Sequence, residues 1–250
     1  MSTINNEIHA QRKVLAAEID GWLERKFTDE NYKTTREWSF DGERNPCLIV
    51  NHMQIGIAGR DGEYTGADAD QQWEALERLG TIDKQKQLIA AFRERNLPII
   101  YVAVLPNPTG FTPKWGFIFE MVNRVAPAGR LDNPHLQETT QIIPELGRLP
   151  EEPIVYHSGV CPMTGSFLHE YLKKYNVSEI VLTGWTAHST LYNSLLQFVD
   201  NWYSVVIPAD ATGAPKCDQQ AVDAVLDMMM NMYGLVTTVD DVIEHLPHGK

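Results

Sequence analysis

Three features are scarce in this sequence of 250 residues, and each scarcity excludes a class of protein. No apolar run approaches the roughly 18 residues of a membrane-spanning helix, so we expect no membrane insertion. The cysteines number three (Cys47, Cys161 and Cys217) and lack regular spacing, which argues against a disulfide scaffold and for a reducing compartment. No cluster of Lys and Arg interrupts a formal net charge of -12, so we expect no nucleic-acid surface.

What is present is typical of a globular enzyme. Hydrophobic residues make up 43% of the chain and charged residues 22%, and the length suits one large α/β domain or two small ones. The first residues are polar and lack the apolar stretch of a signal peptide. Together with the few cysteines, this pattern predicts a cytoplasmic location.

Short apolar runs rich in Val, Ile and Leu recur along the chain and predict buried strands. Six are predicted, at 47–52, 97–105, 153–157, 179–185, 203–210 and near 236. Helices are predicted between most of them, at 83–96, 165–175, 188–201 and 217–233. Strands that are apolar on both faces and alternate with helices are typical of a parallel sheet covered on both sides. We therefore predict an α/β fold with a doubly wound, mainly parallel sheet of about six strands and helices on both faces.

Two regions depart from this alternation. Residues 1–40 have apolar residues at helical spacing and predict an N-terminal helical extension, which leaves 41–250 as the α/β domain. The stretch 106–152 is rich in Pro, Gly and aromatics, including Trp115 and Phe117. Long excursions of this kind serve as lids, binding loops or oligomer contacts. Trp115 and Phe117 are accordingly candidates for a lid over the substrate or for a subunit interface.

Three of the eight histidines follow predicted strands. His52 ends the first strand, His157 ends the third, and His188 lies just past the fourth. The carboxyl ends of parallel strands lie at one edge of the sheet, where doubly wound folds place their ligand crevice. Each histidine alone is more typical of a structural residue, whereas three at one edge favour a functional site.

Four stretches of the sequence resemble the isochorismatase-like hydrolase superfamily, which includes isochorismatases, nicotinamidases and N-carbamoylsarcosine amidohydrolases. The stretches are WSFDGERNPCLIVNHMQ, TTQIIPELGRLPEEPIVYH, VLTGWTAHSTLYNSL and VVIPADATGA. The pair Ala187-His188 resembles the isochorismatase branch in particular. The resemblance covers about Trp38 to Asp240 and implies the fold predicted above.

The resemblance also implies which positions carry the chemistry. Hydrolases of this family use an Asp as base, a Lys and a nucleophilic Cys, whereas isochorismatases lack the Cys and use the Asp as an acid toward a vinyl ether. The corresponding positions in this sequence hold His52, His157 and Thr190. None of the three family residues is present, so the resemblance implies altered chemistry. The family also often has a strained or cis peptide near the Cys, which implies one within 184–187.

Two chemical hypotheses account for the histidines. In the first, His52 is an acid or base, His157 and His188 hold substrate charge, and Thr190 offers its hydroxyl and backbone N–H to a developing oxyanion. In the second, His52, His157 and His188 together bind a divalent metal, either Zn or one of Cu, Fe and Ni. The second hypothesis requires the three imidazoles to converge.

Three further residues are candidates for substrate binding. Gln54 matches the Met-Gln of the family and is expected to hydrogen-bond the backbone near the site. Trp185 could wall the pocket, although core packing is the commoner role of a buried aromatic. Cys161 follows His157 by four residues, so a relocated Cys–His nucleophile is an alternative to a packing cysteine.

The sequence thus predicts a homo-oligomeric (dimeric or tetrameric) hydrolase of a small organic molecule. The bond cleaved is either a C–N bond or the C–O bond of a vinyl ether. An alternative is a catalytically inactive family member that serves as a binding or scaffold protein, because a fold does not imply an activity.

Overall fold

The computed structural model describes residues 44–60, 62, 69–105, 134–215, 219–226 and 231–247. The predicted N-terminal extension, Trp115, Phe117 and Cys217 lie outside the described residues.

A single parallel sheet forms the centre of the described domain. Its strands are β1 (Pro46–Asn51), β2 (Ile99–Val104), β3 (Ile154–His157), β4 (Glu179–Trp185), β5 (Ser204–Pro208), β6 (Thr212–Gly213) and β7 (Leu235–Thr237). The order across the sheet is β3-β2-β1-β4-β5-β7, with β6 paired to β4, and every pairing is parallel. The predicted α/β class is confirmed, and the six predicted strands all form. The short β6 was not predicted.

Burial on both faces explains why these segments are strands. Every residue of β1, β2 and β4 is buried, as expected for central parallel strands with cover on each side. On one face, Ile49 and Leu182 pack with Leu195 and Phe198 of a helix that follows β4. The apolar side chains therefore fix the register, and the polar residues of these segments are left at the strand ends.

Helices connect and cover the strands. They are α1 (Ile55–Ala58), α2 (Ala69–Leu79), α3 (Thr81–Glu94), α4 (Pro134–Thr139), α5 (Leu168–Lys174), α6 (Tyr192–Asp200), α7 (Gln219–Ala224), α8 (Asn231–Tyr233) and α9 (Val239–His245). A π-helical turn, Ala187–Leu191, leads directly into α6. Among the described residues, no helix combines the length and the apolar character that crossing a bilayer requires.

The helix predicted at 83–96 is present as α3, whereas α2 was not predicted. The helix predicted at 188–201 begins with the π-helical turn, and the one predicted at 217–233 is represented by α7 and α8. In α2, Trp73 and Leu76 are buried and lie three residues apart. This spacing was the available signal, although it spans only one turn.

The strand order has its topological switch point between β1 and β4, which are neighbours in the sheet. The chain runs outward from β1 through β2 to β3, and then returns to place β4 on the other side of β1. Asn51 at the end of β1 pairs with Gly184 near the end of β4. Gly184 has a φ of +126°, and a Cβ added there would lie 2.0 Å from the carbonyl oxygen of Asn51. Only glycine allows this approach, and the switch point marks the expected ligand crevice.

The later part of the predicted excursion packs against the domain. Ile55 N–H donates to the carbonyl of Gln141 at 2.8 Å, and Ile143 N–H donates to the carbonyl of Met53 at 2.9 Å. At the far end, Arg93 of α3 forms two hydrogen bonds with the Glu152 carboxylate, at 2.7 and 2.9 Å. The segment 134–152 is therefore tied to the carboxyl edge of β1 and to α3.

Candidate active site

His52 and His157 meet above the carboxyl edge of the sheet. His52 is the first residue after β1 and His157 is the last residue of β3, and β2 lies between the two strands. Adjacent strands are about 4.8 Å apart, so the two backbones are separated by about 10 Å. The imidazoles cover this distance: their Nε2 atoms lie 2.6 Å apart, and the ring centroids lie 4.9 Å apart with an interplanar angle of 19°. We call these two residues the histidine pair.

The backbone at both ends of the pair is held by β2. The N–H of His52 donates to the carbonyl of Val102 at 2.8 Å, and the carbonyl of His157 accepts from the N–H of Leu105 at 2.8 Å. His52 has a φ of +53°, in the left-handed region that a side chain with a Cβ seldom adopts. Outliers of this kind cluster at functional sites, where the surrounding structure holds the residue in place.

Burial determines the charge of the pair. Each histidine is only 2% exposed. Burial lowers the pKa of His157 to about 4 because the charged imidazolium loses its hydration. Burial also lowers the pKa of His52 well below its usual value, and the neighbouring His157 lowers it further. Both imidazoles are therefore neutral near pH 7, and their contact is a hydrogen bond from one N–H to the lone pair of the other ring.

The structure does not bring His188 into this pair. Among the described residues, the only group whose ligand atoms all lie within 4.8 Å of one another comprises Asp241, Glu244 and His245 on α9. The three predicted ligands are all described, so no choice of ring nitrogens places His188 within that distance of both partners.

The histidine pair itself is also too close for a shared metal. Two nitrogens bound tetrahedrally to one Zn²⁺ at 2.0–2.1 Å are separated by roughly 3.3 Å. The observed 2.6 Å between the Nε2 atoms matches a direct hydrogen bond instead. The residues therefore do not fit the predicted three-histidine metal site in this arrangement, and metal binding by the chain stays a prediction.

Thr190 lies in the π-helical turn after β4, and its hydroxyl is bound to the local backbone. Its Oγ1 accepts from the N–H of Thr186 at 3.0 Å and donates to the carbonyl of Trp185 at 2.9 Å. These two bonds hold the turn together across the peptide bond between Trp185 and Thr186, which is cis. The cis peptide expected within 184–187 is therefore confirmed, and the Thr190 hydroxyl has a structural role in the turn.

Gln54 and Trp185 are both buried and both satisfied within the protein. The Gln54 amide accepts from the N–H of Val104 at 2.6 Å and donates to its carbonyl at 2.9 Å, which clamps the end of β1 to the end of β2. The indole N–H of Trp185 donates to the amide oxygen of Gln72 at 2.6 Å. The two bonds of Gln54 agree with the backbone hydrogen bonding expected of this residue. The bond to Gln72 anchors Trp185 in the core, and core packing is the commoner of the two roles considered for this residue.

Asn51 is a site residue that the sequence analysis did not single out. It is buried directly before His52, and its Nδ2 donates to Ser194 Oγ at 3.2 Å. Ser194 Oγ in turn donates to the carbonyl of Thr190 at 2.6 Å. This chain connects the end of β1 to the turn after β4. The signal was visible in the sequence, because a polar residue precedes His52 at the end of an apolar run.

The family is decided by comparison with known families. The model of the isochorismatase domain matches residues 46–241, which is most of the chain. The chain belongs to the isochorismatase family. The members of this family are hydrolases of small molecules, and the match spans all seven strands of the sheet.

Solved structures of isochorismatase-like proteins share the fold of this chain. An isochorismatase family protein from Burkholderia thailandensis is 24% identical, with a TM-score of 0.60 over 81% of this chain and 96% of that one. A cysteine hydrolase from Pseudomonas syringae pv. phaseolicola is 18% identical, with a TM-score of 0.62 over 80% and 91%. An N-carbamoylsarcosine amidase from Thermoplasma acidophilum is 19% identical, with a TM-score of 0.57 over 78% and 97%. At these identities the similarity shows the fold. No curated protein matches the sequence.

Cys161 is the remaining candidate nucleophile of this isochorismatase-family chain. It lies in the loop after β3, is partly buried and forms no disulfide. Burial raises the pKa of its thiol, so the reactive thiolate is disfavoured. The other described cysteine, Cys47, is fully buried in β1, and burial raises its pKa strongly. Among the described residues, burial is the one cause that shifts the pKa of either thiol, and no neighbouring charge lowers it.

Proposed function

We propose that this chain hydrolyses a small organic molecule, with the histidine pair as the proton-exchanging catalyst and water as the nucleophile. The observation that carries the proposal is the 2.6 Å contact between His52 and His157 at the edge of the sheet. A histidine whose pKa is near 4 exchanges protons in the same pH range as a carboxyl group, which ordinarily titrates near 3.9. The pair can therefore stand in for the acid–base Asp that the sequence resemblance implies at position 52.

Direct attack by water is favoured over a covalent intermediate. A threonine nucleophile needs a base that accepts its proton, and the Thr190 hydroxyl already donates to the carbonyl of Trp185. The thiol of Cys161 is held in its protonated form by its raised pKa. Among the described residues, no basic side chain is hydrogen-bonded to either group in the way an amidase nucleophile requires.

Of the two bonds considered, the vinyl-ether C–O bond fits this site better than the C–N bond. Amide cleavage without a nucleophilic side chain needs a base strong enough to activate water, and a group with a pKa near 4 is a weak base. Cleavage of a vinyl ether needs an acid of carboxylic strength and a water molecule. The Ala187-His188 pair, which resembles the isochorismatase branch, is in keeping with this choice.

The reaction follows from these groups. The singly protonated pair gives a proton to the terminal carbon of the vinyl group, which leaves an oxocarbenium ion on the substrate. Water adds to that ion, and the neutral pair takes up the proton that the water releases. The resulting hemiketal collapses to an alcohol and a ketone, so the net change is the addition of one water molecule. No step is assigned to a metal, because the spacing within the pair fits a hydrogen bond.

A pH-rate profile over a substrate panel tests this proposal. The panel contains isochorismate as the vinyl ether, and nicotinamide and N-carbamoylsarcosine as the C–N substrates. We expect release of the ketone from isochorismate, with kcat/KM falling about tenfold per pH unit between pH 5 and 7, because the acid form becomes scarcer. Cleavage of a C–N substrate with a flat profile over that range would contradict it. Tight binding without turnover of any panel member would favour the binding-protein alternative.

We also propose, from the sequence features given above, a cytoplasmic homo-oligomer that is a dimer or a tetramer. Light scattering coupled to size-exclusion chromatography of the full chain tests the oligomeric state, and a monomer at micromolar concentration would contradict it.

A further inference from the structure

The ring nitrogens of the histidine pair have unequal surroundings. The two Nε2 atoms face each other at 2.6 Å. Nδ1 of His157 is buried and has no hydrogen-bond partner in the described structure. Nδ1 of His52 does not belong to that set of buried, unpartnered atoms. One nitrogen is therefore buried without a partner in the described structure and two are paired, which leaves Nδ1 of His52 as the nitrogen that we take to face the crevice.

Only two proton arrangements are compatible with a neutral pair. A neutral imidazole has one N–H and one lone pair, so one Nε2 must carry a proton and the other must accept it. If His52 donates, then His157 accepts at Nε2 and must carry its own proton on the sealed Nδ1. If His157 donates, its Nδ1 is a bare lone pair, and His52 must carry its proton on Nδ1.

The two arrangements differ in the group that is left unpaired inside the protein. The first leaves a buried N–H without an acceptor, and orphaned buried N–H groups are the rarest unsatisfied groups in native structures. The second leaves a lone pair, which forfeits one accepted bond from water but keeps no unpaired proton. In histidine pairs, the bond made by one ring nitrogen selects the tautomer of the whole ring.

We infer that His157 is a positioning residue that sets the tautomer of His52: it donates its Nε2–H to Nε2 of His52, so that His52 carries its proton on Nδ1 and presents it to the crevice. The inference stands on the short contact and on the sealed Nδ1 of His157. His52 is then the catalytic residue of the pair, and its Nδ1 is the atom that meets the substrate.

The catalytic part of this inference rests on the proposed function. In the acid form, His157 holds a proton on each nitrogen and His52 holds one on Nδ1. The added proton on Nδ1 of His157 has no acceptor in the described structure, so this form is scarce near pH 7. His52 gives that proton to the substrate carbon while the shared proton moves from His157 to Nε2 of His52. Both rings are then neutral, in the less favourable of the two proton arrangements, and the positive charge has moved to the substrate. The lone pair now on Nδ1 of His52 accepts the proton that the attacking water releases, so one atom acts first as acid and then as base.

Long-range ¹H–¹⁵N correlation spectra of protein labelled with [¹⁵N]histidine test the tautomers directly. At pH 7 we expect His157 as the Nε2–H form and His52 as the Nδ1–H form, with the resonances assigned from single-histidine variants. The opposite pattern, with His52 as Nε2–H and His157 as Nδ1–H, would overturn the inference. The test needs only one folded variant of the pair, because that variant assigns one of the two resonances and leaves the other by elimination.

Two variants of His157 separate positioning from packing. His157→Gln keeps an amide N–H near the position of Nε2, so we expect the Nδ1–H signature of His52 to persist and turnover to stay within about tenfold of wild type. His157→Leu fills similar space without a donor, so the signature should be lost and turnover should fall about 100-fold. Equal losses in both variants, with an unchanged His52 signature, would contradict a positioning role. His169→Gln, on α5, is the matched control and should alter neither readout.

The failures of the two proposals are distinguishable. If the predicted tautomers are found but no panel substrate is hydrolysed, the inference about the pair stands and the proposed function falls. If a substrate is hydrolysed and the tautomers are reversed, the proposed function stands and the assignment of His157 as the donor falls.

Discussion

The two ends of β1 each carry a buried polar pair, and the pairs differ in how completely they are satisfied. At the amino end, Arg44 donates to both oxygens of Glu179, at 3.0 and 2.6 Å, and also to the carbonyl of His245 at 2.5 Å. At the carboxyl end, His52 and His157 share one hydrogen bond, and Nδ1 of His157 has no partner in the described structure. A bidentate ion pair therefore lies at one end of β1, and an imidazole pair with one unpartnered nitrogen lies at the other end.

This difference separates stability from function. A charge-assisted, bidentate pair holds its geometry and does not gain from further ligands. The histidine pair has an unpartnered ring nitrogen and lowered pKa values, and both reduce the free energy of unfolding. Residues with strongly shifted pKa values are concentrated at functional sites. We therefore expect changes at the amino end to alter the free energy of unfolding and changes at the carboxyl end to alter turnover.

The largest expected effect is that of His52→Ala. Removing the imidazole that we propose as the acid–base group should lower kcat/KM by about 1,000-fold, which lies within the range for a lost acid–base group. The free energy of unfolding should fall by about 1–3 kcal/mol, because Nε2 of His157 loses its partner and stays buried. Steady-state kinetics on the best panel substrate, with urea unfolding alongside, measure both quantities. Retention of more than a tenth of the wild-type activity would remove His52 from the mechanism.

The opposite end should respond in the opposite way. Glu179→Ala leaves the mostly buried guanidinium of Arg44 without its carboxylate, and breaking such a pair costs about 3–5 kcal/mol. We expect that loss in urea unfolding, with kcat per folded molecule unchanged. Glu179→Gln retains an acceptor of the same shape and should lose less. A fall in kcat with unchanged stability would show that the two ends of β1 are not separable.

Acidification should weaken the protein through the histidine pair. Folding lowers the pKa of His157 from 6.5 to about 4, so the unfolded chain binds more protons than the folded chain between those values. The free energy of unfolding should therefore be greatest above pH 6.5 and fall by about 3 kcal/mol toward pH 4 from His157 alone. Urea unfolding at several pH values measures this slope. His157→Gln should flatten it, and an unchanged slope in that variant would contradict the buried neutral pair.

A smaller effect is expected at the turn after β4. Thr190→Val keeps the shape of the side chain but removes both hydrogen bonds of its hydroxyl, so we expect a loss of about 1–3 kcal/mol in stability. Thr190→Ser restores the hydroxyl and should recover most of it. If the Val variant keeps its stability but loses turnover, the hydroxyl acts in the chemistry and our structural assignment is wrong.

The smallest effect is expected for Cys161→Ser. Since burial raises the pKa of the thiol, it should not serve as the nucleophile, and kcat should change less than about twofold. Treatment of the wild-type protein with iodoacetamide at pH 7 should likewise leave turnover intact. Inactivation at a rate that follows alkylation of Cys161 would restore the relocated-nucleophile hypothesis.

The fold was largely readable from the sequence, because its signals are local. The short runs rich in Val, Ile and Leu in β1 and β4 favour strands covered on both faces, and their alternation with helices predicts parallel pairing. The short β6 was missed because its two residues, Thr212 and Gly213, are too few to show the alternation of apolar and polar residues that marks a strand. The π-helical turn was anticipated as a helix, but its register depends on hydrogen bonds that no sequence period encodes.

The candidate site was only partly predictable. The strand-end positions of His52 and His157 follow from chain order, and the structure brings these two together. His188 has the same sequence signal and is not part of the pair, because position along a strand does not specify the direction of a side chain. The hydroxyl of Thr190 looked available for catalysis, whereas it bridges two backbone groups that meet only in the folded turn.

The sequence by itself determined the class of fold and the edge of the sheet at which polar residues collect, because apolar periodicity and chain order are properties of the linear chain. The family followed from the resemblance of four stretches and from the match to the family model. The tertiary structure alone decided that two imidazoles lie 2.6 Å apart across β2, and that one ring nitrogen is sealed from every partner in the described structure. Those facts lower the pKa values of both rings, and the inferred tautomers rest on them. They depend on distances and burial between residues 105 positions apart, which composition and spacing do not contain.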